Sequence, residues 1–213
     1  MGKPYNRVLS IDTALEACAV SVANGDDIFT AYEPMGRGQT EKLLPMILDT
    51  CDRAGTKLKD IEAVVVTRGP GSFTGVRVGL SVARTLEATQ NIPLYGLTTF
   101  EAVSLLLGEG NSDYGIVLES KRDDVYFQKK GSAPSVSEIG TVQKEHPNLP
   151  LVGNVEGVQT VALDKITEKM IEYVRQNDVE IGGSSPVYLR GADISKSKKS
   201  YRSLSDEVLS GLK

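Results

Sequence analysis

Between Thr67 and Leu86 the chain reads TRGPGSFTGVRVGLSVARTL, and this stretch limits its possible folds more than any other. An apolar β-branched run leads into it, Ile61 to Thr67 with Val64, Val65 and Val66 at the centre. That is the pattern of a strand buried on both faces. A glycine turn follows, Arg68-Gly69-Pro70-Gly71-Ser72, and then a helix whose early turns keep Gly75 and Gly79. Glycines at such a turn reach positive φ or let other backbone come close. A helix start also offers free N–H groups to an anion. The spacing is neither G-x-x-x-x-G-K-[ST] nor G-x-G-x-x-G, so a structural turn is favoured over a phosphate cradle. Ser72 is placed to cap the helix.

On a wheel of 3.6 residues per turn, Val76, Val78, Gly79, Leu80, Val82, Ala83 and Leu86 spread over more than half the circumference. Arg77, Ser81 and Arg84 share one narrow polar strip. A helix covering only its own sheet needs a narrower apolar stripe. Two readings stay open: a central helix sandwiched within one domain, or a helix docked by a partner where Gly75 and Gly79 permit close approach.

Elsewhere the pattern is strand and helix in alternation. Tyr5 to Asp12 and Ala17 to Ala23 read as strands, Asn24-Gly25-Asp26 as a hairpin turn, and Asp27 to Glu33 as a third strand. A helix is expected from an N-cap at Thr40 to Ala54, with Leu43, Leu44, Ile47, Leu48 and Cys51 on one face, Pro45 bending it and Gly55 closing it. Pro93 to Gly96 gives a fifth strand and Thr98 opens a helix to about Leu107. Strands are then expected at 114–119, 125–129, 136–142 and 150–153, with a last helix over 158–175. Three hairpin-joined strands followed by helix, strand, helix, strand is the order of an RNase H-like unit.

The blocks RGPGSFTGVRVGLSVARTL, VLSIDTALEACAVSV and SPVYLR together resemble the TsaB (YeaZ) family of bacterial tRNA threonylcarbamoyladenosine synthesis. The resemblance implies an α/β fold of two tandem RNase H-like units of the actin-like (ASKHA) kind, the second reduced. The expected division is 1–98, carrying partner-binding helices 40–54 and 72–90, then 99–195, then a basic tail 196–213. It implies a non-catalytic scaffold that pairs with the catalytic subunit TsaD, with the ATPase TsaE joining them and tRNA reached only through the complex. The residues expected to dock are Leu43, Ile47, Gly75, Val76, Gly79, Val82, Ala83 and Leu86, with Arg77 and Arg84 at the rim. The same helices would serve a homodimer.

In nucleotide-using actin-like proteins the turn at Asp12-Thr13 touches phosphate or magnesium, and further glycines admit the phosphates. Here Ala14-Leu15-Glu16 follows. Asp12 is read as bonding its own turn in an isolated chain; Asp12 and Thr13 are the candidates for nucleotide contact at a shared cleft in a complex. No tightly bound cofactor is expected, ATP or ADP belonging at most to the complex interface. The matching turn of the second half departs from the family's Asp-Ala-Arg-Arg-Gly-Glu-Val-Tyr pattern, with Glu119, Lys121, Asp123 and Asp124 substituted and Arg122, Val125 and Tyr126 kept. An actin-like phosphotransferase is the principal alternative and a glycoprotease-like peptidase a weaker one. The peptidase needs a metal or nucleophile, and one histidine, His146, with two separated cysteines provides neither a H-x-x-x-H nor a H-E-x-x-H site.

Net charge is −4, against the basic balance of a stand-alone RNA binder. Cys18 and Cys51 each fall in apolar patterns, as buried thiols of a reducing compartment do. With no apolar leader at MGKPYNR, a cytoplasmic location is expected.

Overall fold

The computed structural model describes residues 5–108, 113–120, 122–177, 179, 181 and 183–189; the tail 196–213 lies outside them. The first half is built from β1 (Arg7–Asp12), β2 (Ala17–Asn24), β3 (Asp27–Pro34), α1 (Gln39–Arg53), β4 (Ala63–Thr67), α2 (Phe73–Gln90) and β5 (Leu94–Leu97). Its strands form one mixed sheet in the order β3-β2-β1-β4-β5. β1 pairs antiparallel with β2 (Val8↔Ala23) and parallel with β4 (Leu9↔Val64), and β4 runs parallel with β5 (Val64↔Leu94).

After α3 (Thr99–Leu107), the second half contains β6 (Gly115–Glu119), β7 (Val125–Lys129), β8 (Ser135–Ser137), α4 (Ile139–Glu145), β9 (Leu151–Gly153), β10 (Gln159–Thr160) and α5 (Ile166–Gln176). Its sheet runs β8-β7-β6-β9-β10. Counted from its own first strand, that is the same third-second-first-fourth-fifth order as the first sheet. The copy is trimmed: β10 keeps two residues, and no helix joins β9 to β10 where α2 joins β4 to β5.

Alternation along the strands explains the layering. In β1 and β4, Val8 and Val65 enter one apolar cluster while Leu9, Ile11, Val64 and Val66 enter another on the opposite face. The second face is covered by α1 and α2 through Leu43, Ile47, Val76, Leu80 and Ala83. The first is covered by α5 through Ile166, Met170, Ile171 and Val174. That cluster continues through Phe100 and Val103 of α3 to Ile116, Leu118 and Val152 of the second sheet. A sheet covered on both sides reads as a near-continuous apolar run, which is why Val64-Val65-Val66 stood out. Where α5 meets β2 the contact is partly polar: the hydroxyls of Ser21 and Thr30, and of Ser21 and Thr167, are each 2.7 Å apart.

Three local expectations are corrected. Gly38, not Thr40, caps α1, taking a left-handed φ of 99° that suits glycine. Residues 136–142 hold only the end of β8 before turning into α4, whose Ile139 and Val142 are spaced for a helix. The last helix starts at Ile166, because Gln159-Thr160 pairs with Val152-Gly153 and is drawn into the sheet. Thr98 caps α3 as expected, with Glu101 closing a reciprocal capping box.

Cys18 and Cys51 are free and buried. Burial pushes each thiol to about 11, leaving it protonated at neutral pH. At pH 8, Ellman's reagent is expected to label neither thiol in the folded protein and both in guanidinium chloride; rapid labelling of the native chain would contradict this packing. Among the described residues no helix is long and apolar enough to cross a membrane.

Candidate functional site

The glycine block meets its own chain. Ser72 caps α2, its Oγ accepting from the Gly75 N–H at 3.2 Å. The β1–β2 turn lies on the start of that helix: Ser72 N donates to the Ala14 carbonyl at 2.7 Å, and Thr13 Oγ1 donates to the Gly75 carbonyl at 2.7 Å. A Cβ at Gly71 would stand 2.2 Å from the Ala14 carbonyl oxygen, at Gly75 1.9 Å from that of Thr13, and at Gly79 2.6 Å from Thr13 Oγ1. The glycine row is therefore a seat for residues 13–14.

This corrects the expectation that Gly75 and Gly79 wait for a partner. Leu43, Ile47, Gly75, Val76, Gly79, Ala83 and Leu86 are all buried within the chain's own core. Of the two readings of α2, the glycine flank follows the bland one. Asp12 and Thr13, the candidates for nucleotide contact, are likewise buried, each 1% exposed.

Asp12 Oδ1 accepts from Thr67 Oγ1 at 2.5 Å and from the Ala14 N–H at 3.0 Å, the local turn foreseen from its sequence setting. Burial raises its pKa, only partly opposed by these two hydrogen bonds. A carboxyl raised by folding contributes stability that is present below its unfolded pKa and lost as pH rises through the folded one. Asp12→Asn keeps an acceptor for both donors and never ionises. Its melting temperature relative to the parent is expected to climb between pH 4 and pH 8; a gap that does not change with pH would refute the assignment.

What α1 and α2 leave in solvent is a different set. Leu44 and Leu48, one turn apart on α1, are 49% and 47% exposed, and Phe73 at the start of α2 is 47% exposed. Val78 and Val82 on α2 are partly exposed. The opposite flank of α1, with Lys42, Pro45 and Asp49, lines a hollow against β3. Since α1 lies over β2 and β3 and α2 over β4 and β1, Leu44 and Leu48 face the α2 side. Leu44, Leu48, Val78 and Val82 thus form an apolar strip along the outer α1–α2 groove, while Phe73 lies on the other flank of α2 against Tyr188. Of the expected docking residues only Val82 belongs to it; Arg77 and Arg84 lie on the other flank of α2, toward residues 183–189. Leu44 and Leu48 were visible in the sequence as the outer edge of an apolar arc on α1 wider than one sheet needs.

Arg77 and Arg84 hold the last described segment, 183–189. Arg84 Nη2 donates to the Ser184 carbonyl at 2.6 Å and Arg77 Nε to Tyr188 Oη at 3.0 Å. The Arg77 guanidinium lies 3.7 Å from the centre of the Phe73 ring, and Phe73 meets Tyr188 at 5.4 Å. Val187 N donates to the Arg68 carbonyl at 2.7 Å. A Cβ at Gly96 would stand 2.3 Å from the Gly183 carbonyl oxygen, so Gly96→Val is expected to lift this strap. Faster tryptic cleavage after Arg190 would report it; an unchanged digestion rate would count against the seat.

The Glu119 backbone N–H donates to Asn154 Oδ1 at 3.0 Å, tying the altered second-half turn to the loop after β9. His146 stacks on Phe127 with ring centres 5.1 Å apart. Among the described residues no three of His, Cys, Asp and Glu gather as a metal site.

The family profile described as tRNA N6-adenosine threonylcarbamoyltransferase (TsaD) matches residues 11–141. A tRNA threonylcarbamoyladenosine biosynthesis protein TsaB from Escherichia coli is 43% identical over 93 residues, 44% of this chain and 40% of that protein. An uncharacterized protein of Mycobacterium tuberculosis is 32% identical over 164 residues, 73% of this chain and 76% of its own length. The matches to the TsaB proteins thus span about two-fifths to three-fifths of their length. A crystal structure from Pseudomonas aeruginosa, described as similar to peptidase YeaZ, superposes with a TM-score of 0.71 at 22% identity, covering 87% of this chain and all of that one. The YeaZ structure from the same organism gives 0.65 at 19% identity, covering 86% and 100%. These two share the fold of two tandem RNase H-like units.

Proposed function

The chain belongs to the TsaB (YeaZ) family, and from that premise we propose that it serves tRNA threonylcarbamoyladenosine formation as a docking subunit, not as the catalyst. Its partner is the catalytic subunit TsaD, with the ATPase TsaE joining the pair and tRNA met only in the assembly. The observation that supports this is the division of labour in the first unit. The turn that would approach a phosphate is packed onto Gly71, Gly75 and Gly79. The outer α1–α2 groove, by contrast, leaves Leu44 and Leu48 about half exposed, with Val78 and Val82 partly exposed beside them. Soluble proteins rarely leave a contiguous apolar strip without a partner, and exposed leucines with acidic Glu41 and Asp52 beside them suit the apolar centre and polar edge of an interface. The same strip serves a homodimer when the partner is missing. A nucleotide, where one is used, sits at the joint surface of the complex.

Reconstitution tests this. With TsaD, TsaE, ATP, bicarbonate, threonine, the synthase that makes the threonylcarbamoyl adenylate, and tRNA, modified adenosine is expected only when this chain is added. Equal product without it, or tight ATP–magnesium binding with turnover by the chain alone, would overturn the reading.

A further inference from the structure

We propose that the flank of α2 turned away from α1 is a contact surface for single-stranded RNA, where the Phe73–Tyr188 ring pair stacks an unpaired base and the arginines around it hold phosphates. The inference rests on the proposed role in tRNA modification for its choice of RNA over single-stranded DNA, and three observations carry it.

The first is a ring pair left open to water. Phe73 is 47% exposed and Tyr188 42%, although their centres are 5.4 Å apart with planes inclined at 37°. Other contacts already fasten the strap at 183–189: the Val187 N–H on the Arg68 carbonyl and the Arg84 guanidinium on the Ser184 carbonyl. The rings therefore offer π surface that the fold does not need, and an unpaired base of any identity can stack on it.

Charge is the second. The Arg77 guanidinium lies 3.7 Å from the centre of Phe73 and 5.9 Å from that of Tyr188. Arg84 follows two turns along the same flank, exposed like Arg77. Arg68 adjoins the strap, its Nε 3.9 Å from where a Cβ of Gly183 would stand, buried and with no hydrogen-bond partner among the described residues. Residues 183–189 include no acidic side chain. Glu87, the one carboxylate of α2, stands about 21 Å along the axis from Phe73. A chain of net charge −4 thus gathers guanidinium groups around two exposed rings, the pairing that single-strand surfaces use.

Position is the third. Phe73, Arg77 and Arg84 fall within about 40° of one another on the helix wheel, and about 140° around from Val78 and Val82. A protein seated in the α1–α2 groove leaves the ring pair uncovered. The two flanks also differ in chemistry. The groove is aliphatic with carboxylates beside it, which suits a protein; the far flank is aromatic with guanidinium groups, which suits a polyanion carrying unpaired bases. Three arginines neutralise only about two or three phosphates, too few for this chain to capture a tRNA unaided. The flank adds to the grip of an assembly.

The test uses the full chain, which contains no tryptophan. Tyr188→Trp and, separately, Phe73→Trp place a single fluorophore in the ring pair, and Leu48→Trp in the groove is the control. The probe is an unstructured RNA octamer of adenosines. At about 50 mM salt both ring-pair variants are expected to be quenched with a dissociation constant on the order of 100 μM, weakening about tenfold at about 200 mM salt. Arg68→Met keeps an unbranched stem over Gly96 and removes the charge. Added to Tyr188→Trp, it should weaken binding about threefold and lower the log–log salt slope by about 0.7, with the melting temperature unchanged. No quenching at either ring position, equal quenching at Leu48→Trp, salt-independent quenching, or equal quenching by double-stranded RNA with as many phosphates would each overturn the proposal. So would a response to the catalytic subunit with none to RNA, which would make this flank a protein interface. None of these readings needs the reconstituted assembly, so failure here leaves the reconstitution result standing, and failure there leaves this one.

Discussion

Gly75→Ala is expected to cost about 3–5 kcal/mol of folding stability, although alanine normally improves a helix by about 1 kcal/mol over glycine. The new methyl would need the space 1.9 Å from the Thr13 carbonyl oxygen, and that oxygen is backbone. Relief requires the β1–β2 turn to lift from α2. Lifting strains the Thr13 Oγ1 donation to the Gly75 carbonyl and the Ser72 N–H donation to Ala14. Buried groups deprived of partners cost about 1–3 kcal/mol each, and overpacking adds a similar amount. Gly79→Ala is expected to be milder, about 1–2 kcal/mol, because its methyl meets the Thr13 hydroxyl at 2.6 Å and a side chain can rotate aside. Gly79→Leu removes that escape, since Ile11 and Val66 stand 3.5 Å behind. Urea midpoints for the three variants check the order. A Gly75→Ala protein as stable as its parent, or less affected than Gly79→Ala, would mean that the turn does not sit on the helix.

That seam also shows what the sequence makes legible. The strand, turn and helix at 61–90 were readable because two-sided burial leaves no polar alternation in Val64-Val65-Val66, and because Ser72 has only one cap to make. Element order gave the first unit, the family resemblance implied its tandem repetition, and both sheets repeat one strand order. What the glycines face was not readable. Periodicity reports that a helix flank is small and apolar; it does not say whether the matching surface is Thr13 of the same chain or a residue of another. Choosing Leu43 and Ile47 over Leu44 and Leu48 failed for a related reason. All four lie within one arc of α1, and only the position of the sheet beneath divides that arc into a buried half and an open one. In the second half, strand pairing overrode helical spacing at Gln159-Thr160, a long-range effect with no local signature. The strap was missed too, since Gly96 reads as an ordinary strand residue until Gly183 is seen against it.

Replacing Leu44 and Leu48 together by glutamate is expected to leave the fold intact and weaken pairing with the catalytic subunit at least about a hundredfold. Both side chains are already half in water, so their loss removes little from the core, and exposed substitutions change stability by about 0.5 kcal/mol. Repulsion along the helix face from Glu41 and Asp52 adds a few tenths of a kcal/mol. At an interface the account differs. Burying one leucine contributes roughly 1.5–3 kcal/mol, and two glutamates would instead have to be desolvated without partners. A loss of about 3–5 kcal/mol corresponds to a hundredfold or more in the dissociation constant. Leu43→Glu and Ile47→Glu provide the contrast, because those neighbours are 1% and 0% exposed and a buried unpaired carboxylate is expected to unfold the chain. Circular dichroism and calorimetric titration against the catalytic subunit separate the outcomes. If Leu44→Glu/Leu48→Glu stays folded and binds within threefold of the parent, the outer α1–α2 groove is not where the partner docks. If it unfolds, the two leucines hold the core together and the groove is an internal surface. If the double variant folds and loses the partner while Leu43→Glu and Ile47→Glu unfold, adjacent positions on one turn of α1 would assign the inward face to the chain's own sheet and the outward face to another molecule.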